Sequence, residues 1–130
     1  MPEFELSAPC RAPVEEVWKL LFDPARFPDW WAGVETVRED APGKFTLWPT
    51  GYPDFPMAQK LRTDQTGCRV TVSCQVSDID FVWQLAEAGT GTSIHVHVNL
   101  PDREAHRLEG QQQLINESLS RLATLAEASA

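Results

Sequence analysis

The chain is short of positive charge. Eleven Lys and Arg stand against 19 Asp and Glu, a formal net charge of −8 over 130 residues, and the basic residues form no stripe. Phosphate backbones and anionic lipid surfaces require clustered cations, so no nucleic-acid partner is expected. Long apolar runs are missing too. None approaches the roughly 20 residues that span a bilayer, and no basic patch leads into an apolar run at the start. Neither membrane insertion nor a leader is therefore expected. Cysteine is scarce, at three. Cys68 and Cys74 fall in what reads as one strand, about 20 Å apart at Cα, whereas a disulfide needs about 4.4–6.8 Å. Cys10 remains free to reach either, but the simpler reading is three buried thiols in a reducing cytoplasm.

Recognisable catalytic signatures are equally lacking. There is no nucleophile elbow, and the cysteines sit on apolar parity, where thiols are inert. Glu35, Glu39, Asp78, Asp80 and Glu87 fall in turns, at strand ends or on outward parity, where charge is solvated. His106 falls on the outer side of a helix. His95 and His97 share one face of a strand at i and i+2, a spacing that suits metal sharing. No third ligand follows, and their parity opposes Ile94, Val96 and Val98, so a solvated outer face is the preferred reading. No catalytic residue, metal or cofactor is assigned.

What remains is ordered patterning in a chain of one domain's length, residues 1–130. Phe4, Leu6, Ala8 and Cys10 alternate with Glu3, Glu5 and Ser7, a half-buried strand. Pro13 suits a first helical turn, Glu15 and Glu16 complement its dipole, and Val14, Val17, Trp18 and Leu21 repeat at helical spacing. Asp23-Pro24 stops that helix and caps a second, which Phe27-Pro28-Asp29 breaks early. Strands follow near 34–39, 44–48, 57–63, 68–76, 81–86 and 94–100, joined by short turns that suit an antiparallel meander. A last helix runs from an Asp102 cap to about Glu127. Its stripe is Ala105, Leu108, Gln112, Ile115, Leu119, Leu122 and Ala126, widened by Leu114 and Leu125.

The run from Ala12-Pro13 to Trp18, and the run from Asp23-Pro24 to Trp30-Trp31, following a strand, resemble the START and birch-pollen-allergen-like superfamily in its bacterial polyketide cyclase/dehydrase branch. The resemblance implies an α+β helix-grip fold. A curved antiparallel sheet of six or seven strands would wrap a long C-terminal helix, with two short helices after the first strand. Asp40-Ala-Pro-Gly43 replaces the glycine-rich loop of the plant members, so their ligands do not carry over.

One helix about 10 Å wide cannot plug such a sheet, and in the resembling family the gap is a hydrophobic ligand cavity. The expected lining is Trp31, Tyr52, Phe55, Met57, Gln59, Leu61, Val72, Phe81, Trp83, Val96, Leu108, Gln112 and Ile115. Pro49-Thr-Gly-Tyr-Pro-Asp-Phe-Pro56 is stiffened by prolines; it reads as a rim or lid, or equally as cover for a sheet edge. Gln59 shares parity with Met57 and Leu61, Gln112 lies near the middle of the helical stripe, and both are expected to meet a ligand, a backbone group or water. Of Trp30 and Trp31, which cannot both face inward from adjacent helical or turn positions, one is expected in the core and the other near the surface or mouth. Trp18 is read as structural packing and Trp48 as outward-facing.

The leading expectation is a cytoplasmic carrier or sensor of a small hydrophobic or aromatic molecule, monomeric or weakly dimeric. Its rivals are a polyketide cyclase or dehydratase, which needs an ionisable group in the chamber, and a module acting through an exposed apolar surface.

Overall fold

The computed structural model describes residues 2–129. Strand β1 (Glu3–Cys10) leads into helix α1 (Val14–Leu21), a 3-10 turn over Pro24–Arg26 and the single-turn α2 (Phe27–Trp30). Six strands follow: β2 (Val34–Ala41), β3 (Lys44–Pro49), β4 (Met57–Asp64), β5 (Arg69–Cys74), β6 (Asp80–Ala88) and β7 (Gly91–Asn99). A 3-10 segment over Asp102–Arg107 opens the 22-residue α3 (Leu108–Ser129). The seven strands form one antiparallel sheet in the order β1-β7-β6-β5-β4-β3-β2. This is the α+β helix-grip layout that the element order implies.

Local chemistry sets the boundaries. Asp23 Oδ1 accepts the Ala25 N–H at 3.1 Å, with Pro24 at the first helical position, so this cap forms as the dipeptide dictates. The expected Asp102 cap does not form. Pro101 occupies that position without a side-chain bond, and Asp102 instead places its charge in the first turn, beside the unpaired N–H groups. Residues 68 and 76 fall outside β5, contrary to expectation. Cys68 precedes β5 with φ +52 and is half-buried, and Val76 lies in the turn after Cys74, 48% exposed.

One face of the sheet is apolar. Val70, Val72, Trp83, Leu85, Ile94, Val96 and Val98 are buried there, with Ile115, Leu119, Leu122 and Ala126 of α3 in the same core. Helix α3 packs mainly along β1 and against α1 and α2. It therefore lies over the β1 edge of the face and leaves the β3–β6 portion less covered. Ser118 fixes it there: its hydroxyl accepts the Ala32 N–H at 2.8 Å and donates to the Leu114 carbonyl at 2.7 Å.

Both tryptophans of the pair turn inward, contrary to the expectation that adjacent positions could not both do so. Trp30 is fully buried, its indole N–H donating to the Leu20 carbonyl at 2.9 Å. Trp31 leaves the helix with φ −81 and ψ 105. The change of backbone conformation brings adjacent rings to the same side, which a continuous helix would forbid.

Candidate ligand chamber

Where α3 leaves the face uncovered, a chamber of ≈ 200 Å³ opens. Leu47 and Pro49 of β3, Met57 and Gln59 of β4, Val72 and Cys74 of β5 and Phe81 of β6 form the sheet wall. The opposite wall comes from Gln111 and Leu114 of α3, and Trp31 to Val34 close the side. Trp31 meets Phe81 edge to face at 5.1 Å and 81°, and meets Trp83 behind it at 5.3 Å and 72°. These are preferred quadrupole geometries, so the aromatic wall is held in one arrangement.

A wider cavity of ≈ 530 Å³ adjoins it, lined by Tyr52, Phe55, His106 and Gly110. Both cavities share Pro49, Met57, Arg107, Gln111 and Leu114, and these five residues form the neck between them. Tyr52 and Phe55 are 65% and 55% exposed, so the loop after β3 stands at the mouth with its rings uncovered. Arg107 is ion-paired with Glu104 at 2.8 Å, and His106 lies 4.0 Å from the same carboxylate.

The expected lining does not stay together. Trp31, Met57, Gln59, Val72 and Phe81 line the inner chamber, and Tyr52, Phe55 and Met57 line the outer one. Trp83, Val96 and Ile115 are fully buried in packed core behind the chamber. Leu61 and Leu108 pack partly buried against that core and line neither cavity.

Gln112 requires a correction: it is exposed. It lies within regular α3, on the flank of the stripe shared with Leu119 and Ala123, and that flank is buried only farther along the helix. Ala105 is exposed too, in the 3-10 segment, where the turn tightens to about three residues and the phase slips. From the last residue of the 3-10 segment into α3, the series on the chamber side is Arg107, Gln111, Leu114 and Ser118; Leu119, Leu122 and Ala126 take over farther on. Leu114 and Ser118, three and seven residues on from Gln111, were the available signal for that second series. Ser77 carried no signal, because it lies in a turn.

Elsewhere, His95 and His97 are half-buried beside Glu5 and Glu3, each at 3.8 Å. Among the described residues no group of three or more His, Cys, Asp or Glu could hold a metal ion. Among the described residues no helix is long and apolar enough to cross a membrane. Trp48 lies half-buried under the Arg38 guanidinium, 5.4 Å from its ring centre.

The sequence model of the polyketide cyclase/dehydrase and lipid transport family matches residues 1–127. The chain belongs to this family. No curated protein matches it. Among solved structures it is similar to XoxI from Bacillus cereus, at 19% identity and TM-score 0.76 over 95% of this chain and 94% of that one. It is similar to protein NE0264 from Nitrosomonas europaea, at 18% and 0.78 over 98% and 95%. The di-domain ARO/CYC BexL from the BE-7585A biosynthetic pathway matches at 17% and 0.82, over 98% of this chain and 47% of that one. The chain thus spans about half of BexL, and at such identities the likeness is one of fold.

Proposed function

We propose that this family member is a cytoplasmic, single-domain carrier or sensor, monomeric or weakly dimeric, that holds a small hydrophobic or aromatic molecule in the chamber. The observation that carries this is a void with an ordered aromatic wall, joined through a neck to an outer vestibule. Closely packed interiors avoid voids of this size, and a dry cavity of about 150 Å³ takes up benzene. A chamber of ≈ 200 Å³ has room for one or two rings, with any longer part of the ligand passing through the neck. Trp31 and Phe81 offer faces and edges for stacking, and Leu47, Met57, Val72 and Leu114 offer apolar contact.

A cyclase or dehydratase is the second reading, favoured by the family description and by the fold shared with BexL. Its weakness is chemical. The ionisable groups among the inner lining are Cys74 and Arg107, and neither is set up as a proton-transfer pair. Native mass spectrometry of protein purified from its own host separates the readings. A defined bound mass supports the carrier, and conversion of that mass on incubation supports the enzyme. Protein that is free of ligand and gains no thermal stability from aromatic probes would overturn both.

A further inference from the structure

The inner end of the chamber is polar but carries no charge. Gln59 on β4 lies opposite Cys74 on β5 in the sheet register. The backbone N–H of Ser77 donates to Cys74 Sγ at 3.5 Å. Register and hydrogen bond bring three polar side chains to one end of the chamber, and all three line it. All are enclosed: Gln59 is 3% exposed, Cys74 4% and Ser77 4%.

Their hydrogen-bonding capacity is mostly unspent. A glutamine amide carries two N–H donors and a carbonyl with two lone pairs. Gln59 uses one donor, in a long contact of 3.4 Å from Nε2 to the Met57 carbonyl. Its Oε1 accepts from none of the described residues. Ser77 Oγ accepts the Ile79 N–H at 3.4 Å, while its hydroxyl hydrogen reaches no acceptor among the described residues. An enclosed amide and hydroxyl are costly to leave unpaired. Ions lie elsewhere: Arg107 belongs to the neck, shared by both cavities, and is already paired with Glu104.

We propose that Gln59 and Ser77 form a selective polar seat for a neutral hydroxyl group at the leading end of an aromatic ligand. This rests on the chamber being a binding site and adds the class of molecule it prefers. A ligand hydroxyl is donor and acceptor at once. It gives its proton to Gln59 Oε1 and accepts from the Ser77 hydroxyl or the free Gln59 N–H. A hydrocarbon leading end leaves both protein groups unpaired. A carboxylate entering first loses its hydration and meets no counter-charge.

The test uses p-cresol, toluene and 4-methylbenzoate, three single-ring probes of matched shape. Each is titrated into 15N-labelled protein, and affinities are read from the Ser77 amide and Trp31 indole resonances. The expected order is p-cresol tightest, toluene about fivefold weaker, and 4-methylbenzoate weakest, the size of one net hydrogen bond. Gln59→Leu and Ser77→Ala should each weaken p-cresol but not toluene, bringing their ratio close to one; retained toluene binding reports an intact chamber. An unchanged ratio in both variants overturns the seat and leaves the chamber reading standing. If Gln59→Leu loses toluene as well, the Ser77→Ala ratio decides by the same criterion. Should neither p-cresol nor toluene bind the unaltered protein, the seat and the chamber reading fall together.

Discussion

Trp30 and Trp31 stack ring on ring, 5.4 Å between centroids and 21° between planes, although they are adjacent in the chain. Trp30 also meets Trp83 edge to face at 5.1 Å and Phe27 at 5.5 Å. The inner ring braces the outer one, and the outer one faces the chamber. Their substitutions should therefore separate stability from binding. Trp30→Ala removes a fully buried ring and strands the Leu20 carbonyl, and should cost about 3–5 kcal/mol in urea unfolding. Trp31→Leu keeps apolar bulk at a site that borders empty space. It should cost about half as much, yet lower the affinity for any aromatic probe. Equal destabilisation by the two would contradict the division of labour.

Ser118 is the second point at which one side chain holds two elements. It is fully buried, and its hydroxyl is the partner of the Ala32 N–H. Ser118→Ala leaves that backbone donor enclosed and unpaired, at a cost of about 1–3 kcal/mol. Ala32 and Leu114 both line the chamber, so binding should weaken along with stability. Chemical denaturation and probe titration on the same variant check both outcomes. A neutral result would mean that water replaces the hydroxyl.

The fold was legible because its signals are local. Alternation in β1, β6 and β7 and the Asp23-Pro24 cap act within a few residues. The β2–β7 meander then follows from short antiparallel connections, whereas β1 joins it beside β7 by a long-range pairing. The chamber was harder to read because it forms where packing stops, and apolar parity cannot distinguish a residue facing a void from one facing a neighbour. Trp83 and Met57 share that parity, yet Trp83 is sealed behind Trp31 while Met57 stands in the neck. Helix phase alone misplaced Gln112, because which stretch of a stripe is covered depends on where α3 meets its neighbours. The 3-10 opening that exposes Ala105 is likewise set by tertiary context, and no capping residue announces it.

The thiols should report burial by their chemistry. Burial pushes the Cys10 thiol above its ordinary value, with the nearby Glu127 carboxylate acting in the same direction. Its Sγ lies 3.6 Å from the Ala123 carbonyl. A group whose folded pKa is raised contributes stability below its unfolded pKa and loses it as pH rises through the folded value. The protein should therefore weaken above about pH 9, where unfolded thiols ionise, and Cys10→Ala should remove part of that slope. Under native conditions Cys68, half-buried in a turn, should react with a disulfide reagent first and Cys10 only as the protein unfolds. Simultaneous release of all three thiols at neutral pH would contradict this order.

Gln111 and Gln112 provide the sharpest comparison, since they have the same side chain on neighbouring positions of one helix. Gln111 lines both cavities at their neck, whereas Gln112 is exposed. A bulky ring at position 111 projects into the passage and should obstruct it, while at position 112 it reaches only solvent. Gln111→Trp should therefore slow or abolish uptake of an aromatic probe, and Gln112→Trp should leave affinity within about twofold, as surface changes do. Both keep the helix register and remove the same amide, so helix propensity cannot account for a difference between them. Stopped-flow quenching of the native tryptophans would be confounded by the new indole, so uptake is better followed by calorimetry or by 19F NMR of a fluorinated probe. Loss of binding in Gln112→Trp with normal binding in Gln111→Trp would place the neck on the other side of α3. The inward series through Arg107, Gln111, Leu114 and Ser118 would then have to be abandoned.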